Sequence, residues 1–153
     1  MAIRLEYIFK IHMMLGIREK YGPVADGGQR GFVTAAGGLI EGPRLNGHVV
    51  ENSGGDWAHY RADDVVEFNA SYMLQADDGT LIHMMNRGYR HAPPDIAKKM
   101  EALEPVPEGS YYMRVNPTFQ CPVGPHDWLT RTVIVGEGDR HADHTVFSYY
   151  AVL

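Results

Sequence analysis

A chain of 153 residues is long enough to bury one core, and its net charge of −5 argues against the dense basic face that phosphate backbones require. Its 44% hydrophobic and 22% charged residues are ordinary globular values that exclude whole-chain disorder. Charges run through the amino-terminal "MAIRLEYIFKIHMML", so neither a signal peptide nor a membrane span is expected, and the single cysteine, Cys121, excludes an internal disulfide and fits a reducing cytoplasm.

Glycines and prolines recur at short intervals, which predicts one all-β domain over residues 1–153 rather than βα alternation. "AIRLEYIFKIHMML" reads as a first strand, with Ile3, Leu5, Tyr7 and Phe9 on one face. "YGPVADGGQ" is a loop, and "RGFVTAAGGLIEGPRLNG" is a strand bent or bulged at Gly37-Gly38. In "DVVEFNASYML", Val66, Phe68, Ala70, Tyr72 and Leu74 share one face. Asp78-Gly79 then predicts a tight hairpin to "LIHMMNRGY". With those two residues central, paired numbers sum to 157, which places Tyr72 beside Met85 and diagonal to His83 and Arg87. A one-residue bulge would instead place it with Met84 and Asn86. "APPDIAKKMEALEP" is the one helix, with Pro94 and Asp95 in its first turn and Pro105 beyond its end. "SYYMRVNPTFQC", "WLTRTVIVG" and "HTVFSYYAVL" read as further strands, with Pro117 marking an edge or bulge. The total is about eight to ten strands, enough for a sandwich or a barrel.

Two phrases nearly repeat, "GGDWAHYR" and "GPHDWLTR", and each sets an aspartate before one of the only two tryptophans. Indole surface beside a carboxylate suits a pocket, so Asp56, Trp57, Asp127 and Trp128 are read as two walls of one polar-aromatic cavity. The structural alternative is that each aspartate ends a turn while each tryptophan packs in the core. Arg61, Arg87, Arg114 and Arg131 lie in strand-like segments and could clamp a carboxylate, phenolate or enolate; Arg114 and Arg131 have the more apolar neighbours. His83, mid-strand, is a candidate acid–base partner of Tyr72. "GEGDRHADHT" reads as a loop in which His141 and His144 lack a metal-site pattern, and no phosphate loop or nucleophile elbow occurs, so neither metal nor cofactor is expected.

Taken in order, "GPRLNG", "GGDW", "ASYMLQADDGTLI", "NRG", "YMRVNPTF", "WLTR", "VGEGDR" and "YYAVL" resemble the domain of unknown function 3237 family, also called uncharacterised protein family 0311. The resemblance implies a closed antiparallel β-barrel, similar to calycin or allene-oxide-cyclase barrels, assembled as a homo-oligomer. Its matched positions include Asp56, Trp57, Arg61, Tyr72, Asn86, Arg114, Phe119, Trp128 and Arg131. The chain departs from the family pattern at "RADDVV", at Gln120 where the family often has Glu, and at Thr130. Asp127 is the candidate replacement for the missing carboxylate.

These readings converge on a cofactor-independent isomerase, cyclase or lyase for a small apolar or aromatic carbonyl compound. Asp56, Tyr72, His83, Arg114 and Arg131 are its catalytic candidates; Trp57, Arg61, Asn86, Phe119, Asp127 and Trp128 are its binding candidates. The alternative is a non-catalytic carrier of a hydrophobic small molecule.

Overall fold

Period-2 burial runs through nearly every long segment of the computed structural model, which describes residues 1–153. It resolves into nine strands: β1 (Leu5–Tyr21), β2 (Gln29–Glu41), β3 (Gly47–Val49), β4 (Gly55–Tyr60), β5 (Val66–Ala76), β6 (Leu81–His91), β7 (Tyr112–Gln120), β8 (Ile134–Arg140) and β9 (His144–Val152). One helix, α1 (Pro94–Glu101), follows β6, and a 3-10 turn spans Asp127–Thr130. No helix is long and apolar enough to cross a membrane.

All pairings are antiparallel, and β1 bonds to both β2 and β9, so the sheet closes on itself. Between β2 and β5 the short strands β3 and β4 lie one beyond the other in a single stave. Nine strands therefore make a closed eight-stave barrel.

Irregularities aim the side chains. Register shifts between Tyr7 and Phe9, so Phe9 is fully buried whereas Ile3, Leu5 and Tyr7 face solvent, against the single face expected of them. Opposite Met14 and Leu15 of β1, β2 carries one extra residue, Ala36, beside Gly37 and Gly38 at φ 139° and 151°; this is the predicted bulge. Pro117 lies beyond the β7–β8 ladder, which pairs only Arg114–Glu137 and Val115–Gly136, so its missing N–H breaks no bond on that side. "EGDR", expected within a loop, continues strand β8. Its glycines have a steric reason: a Cβ at Gly136 would stand 2.7 Å from the buried Tyr149 ring.

One end of the barrel is solid, packed by Phe9, Leu74, Ile82, Phe119, Leu129 and Tyr149. The other end is hollow. Helix α1 lies across it and turns Met100, its one buried residue, toward the hollow.

Candidate active site

The hollow is a cavity of about 700 Å³, a size that suits a small organic ligand. Its wall is mainly apolar, with Met13, Val33, Phe68, Met113 and Phe147 among its residues.

Strand register brings the polar groups together. Asp56 of β4 lies opposite Ala70 of β5, and Ala70 lies opposite Asn86 of β6. Tyr72 lies opposite Met84, so it is diagonal to both Asp56 and Asn86, roughly 7–8 Å away between Cα atoms. The β5–β6 pairs sum to 156, which corrects the tight-hairpin register. The loop holds three residues, Asp77, Asp78 and Gly79, with Gly79 at φ 89°, and the ladder resumes at Ala76 and Thr80. That single extra residue sends His83 and Arg87 to the outer face, where His83 Nε2 lies 2.7 Å from Ser71 Oγ.

Burial pushes the Asp56 carboxyl up to about 6, opposed by the Asn69 backbone N–H, which donates to Oδ1 at 2.7 Å, and by the charge of Arg90. Burial likewise raises the Tyr72 and Tyr149 phenols far above their usual range, so both stay protonated. Asn86 Nδ2 donates to the Tyr149 hydroxyl at 3.0 Å. The Tyr72 hydroxyl lies beside these two groups yet makes no well-formed hydrogen bond, and Asn86 Oδ1 is also without a partner. Buried polar atoms are normally satisfied, which makes two unpartnered atoms on neighbouring residues of one cavity wall a feature to explain.

Further along the strands, Tyr60, Val66, Arg90 and Met113 form a second row across β4 to β7. Arg90 and Arg140 both project into the cavity. Desolvation, then repulsion from Arg140, brings Arg90 down to about 10; desolvation also lowers Arg140.

Of the residues singled out in the sequence, Asp56, Arg61, Tyr72 and Asn86 line the cavity. Arg61 does so at the rim, engaged by Asp63 and by Glu67 at 3.1 Å. Trp57 points outward, 59% exposed, and packs on Phe32 at 4.4 Å, because it alternates with the inward Asp56 and Ala58. Arg114 also takes the outward parity of its strand and lies 3.8 Å from Glu137. Phe119 belongs to the solid end, against Phe9. Asp127 and Arg131 pair at 3.0 Å on the 3-10 turn, and Arg44 covers the Trp128 ring at 3.8 Å. The two Asp-Trp phrases therefore do not share a cavity: one enters a strand after two glycines and the other coils into a turn after Gly-Pro. His141 and His144 stack at 4.4 Å, each beside its own aspartate, and no group of three potential metal ligands occurs.

Sequence reading missed Tyr60, Arg90, Arg140 and Tyr149. Alternation carried the signal for Arg90, which shares the parity of Met84 and Asn86, had β6 been extended past Tyr89. Arg140 was hidden by reading its strand as a loop.

The model of a family described as "Protein of unknown function (DUF3237)" matches residues 3–152. A UPF0311 protein of Rhodopseudomonas palustris, RPA1785, is 29% identical over 152 residues, covering 99% of this chain and 98% of that one. Its crystal structure, described as that of a conserved protein of unknown function, superposes with a TM-score of 0.92 at 28% identity, covering 99% and 98% of the two chains. A β-barrel-like protein from Acinetobacter baumannii gives 0.86 at 28% identity over 99% and 97%. An enzyme from Penicillium herquei shares the fold, with a TM-score of 0.74 at 20% identity over 100% and 96%. The chain belongs to the DUF3237 family.

Proposed function

We propose that this DUF3237 barrel is a cofactor-independent acid–base enzyme acting on a small apolar or aromatic carbonyl compound, in the isomerase, cyclase or lyase class. The observation that carries the reading is the pairing of a buried carboxyl raised to about 6 with the unpartnered Tyr72 hydroxyl, a diagonal neighbour on the same wall. A base poised near neutral pH beside a phenol held protonated is a division of acid and base roles.

In this scheme the substrate's apolar body fills the hollow and displaces water. Asp56, ionised above pH 6, takes a proton from the carbon next to the carbonyl or from a hydroxyl. The Tyr72 hydroxyl donates to the oxygen on which negative charge develops. Asn86 and Tyr149, bonded to each other beside Tyr72, stay neutral, so the oxyanion meets fixed dipoles in a dry site. Protonated Asp56 then returns the proton to another position of the product. His83, Arg114 and Arg131 take no part, since none projects into the cavity. The fold is shared with a protein described as an enzyme, at an identity that supports the architecture alone. A reducing cytoplasmic setting and a homo-oligomer remain part of the proposal, the latter supported by exposed Leu5, Tyr7, Ile17 and Val133.

The test needs no knowledge of the natural substrate. Aryl ketones that raise the melting temperature are incubated with the protein in D₂O, and exchange of the proton next to the carbonyl is followed by NMR. Wild type should catalyse exchange with an acid limb near pH 6, Asp56→Asn should lose roughly 10²–10⁴-fold, and Tyr72→Phe roughly 10²-fold with binding retained. Bound ketones that exchange no faster than in buffer, or Asp56→Asn equal to wild type, would leave the carrier reading instead.

A further inference from the structure

Most cationic side chains on the cavity wall are already engaged. Arg61 is held by Asp63 and Glu67, Lys20 by Glu101 at 3.3 Å, and Arg18 donates to the Ala142 carbonyl. Arg90 and Arg140 differ. Neither guanidinium makes an ion pair or a hydrogen bond with any group of the protein; the Phe68 ring lies 5.9 Å from the Arg90 Cζ. The other carboxylates on the wall do not serve them. Asp56 lies deeper and feels Arg90 only as a charge at a distance, and neither it nor Glu19 nor Asp64 forms an ion pair with either arginine. Two guanidiniums are thus withdrawn into one cavity and aimed at the same space, close enough to repel. Such an arrangement costs stability unless an anion completes it.

We propose that Arg90 and Arg140 form a carboxylate seat, and that the substrate is an amphiphile whose apolar or aromatic body reaches down to Asp56 and Tyr72 while its carboxylate is clamped between the two arginines. This rests on the cavity reading proposed above and narrows its substrate class from neutral carbonyl compounds to carbonyl-bearing carboxylic acids. Arg90 stands four residues along β6 from Asn86, roughly 13 Å at 3.3 Å per residue, which spans a bicyclic aromatic acid. A planar guanidinium pair recognises a planar carboxylate in bidentate fashion.

The experiment titrates 2-naphthoate, 2-naphthamide and 2-naphthyl phosphate into wild type, Arg90→Gln, Arg140→Gln, the double variant and Asp56→Asn, by calorimetry. Naphthoate should bind wild type about 10–100-fold more tightly than the amide. Each single variant should reduce that ratio, and the double variant should bring it to about one while leaving amide affinity unchanged. Melting temperatures should not fall in the Gln variants, because an unpartnered cation is being removed from the interior. Asp56→Asn should keep the preference for naphthoate. An equal affinity for acid and amide in wild type, a preference that survives both Gln substitutions, or stronger binding of the phosphate would overturn the proposal. Loss of proton exchange with the acid preference intact would sink only the enzymatic reading, so the two failures are distinguishable.

Discussion

Asp56 carries opposite consequences for stability and for chemistry. Its pKa in the folded chain, about 6, exceeds the ordinary 3.8, so the native state favours the protonated carboxyl. Its contribution to stability is full below pH 3.8 and is lost as pH rises through 6. At pH 8 the buried carboxylate is a net cost, of order 1–3 kcal/mol for a shift of this size. Asp56→Asn, which keeps an acceptor for the Asn69 N–H, should therefore melt several degrees higher than wild type at pH 8. The gain should vanish at pH 4, and calorimetric scans across that range check both ends. A melting gain independent of pH would contradict the assignment of the raised pKa to this residue. Asp56 was legible from the sequence as a carboxylate beside glycines, and so was Tyr72 as the polar member of an apolar face. Their shared wall was not, because they belong to different strands.

At the scale of strands, the pleat explains both the successes and the errors. Alternation is local, so the inward faces of β5 and β7 follow directly from residue order. Register depends on how many residues the turn absorbs, and a three-residue loop in place of two moves every partner by one. That slip alone separated Tyr72 from His83 and gave it Asn86. The 3-10 turn at Asp127 replaced an expected strand entry for a similar reason, since the fate of Gly-Pro depends on what lies opposite. Close packing in β8 supplies a prediction. Gly136→Ala would drive a methyl to 2.7 Å from the Tyr149 ring and 2.9 Å from Val115, costing about 1–3 kcal/mol. Gly138→Ala meets only the pliable Met113 side chain, at 2.6 Å from Sδ, and should cost less. Urea denaturation of the two variants should separate them, and equal loss would show that the Tyr149 ring can yield.

Closure dominates at the scale of the whole molecule. The ladder joining β1 to β9 pairs the two ends of the chain, from Leu5–Val152 to Met14–His144. No sub-barrel can close without it, and ordering such distant partners makes folding slow and cooperative. Shortening the chain to begin at Met14 removes the fully buried Ile8, Phe9 and Ile11 along with most of that ladder. The lost burial, about 2–5 kcal/mol per side chain, matches or exceeds the stability of an ordinary domain. The truncated chain should show no cooperative melting transition by circular dichroism, whereas removal of Met1 to Ile3 alone should leave the transition nearly unmoved. A folded product beginning at Met14 would mean that the remaining staves close on themselves.

Short-range chemistry settled most of the strands, the helix, the β-rich class and the candidacy of Asp56 and Tyr72, because pleat parity, proline and turn residues act over a few neighbours. Tertiary closure alone decided that Tyr72 stands with Asn86 and that Arg90 and Arg140 meet inside the hollow. The reason is geometric: a barrel's interior is defined by which distant strands become adjacent, and adjacency is fixed by loop lengths and bulges that leave the pattern of apolar residues unchanged.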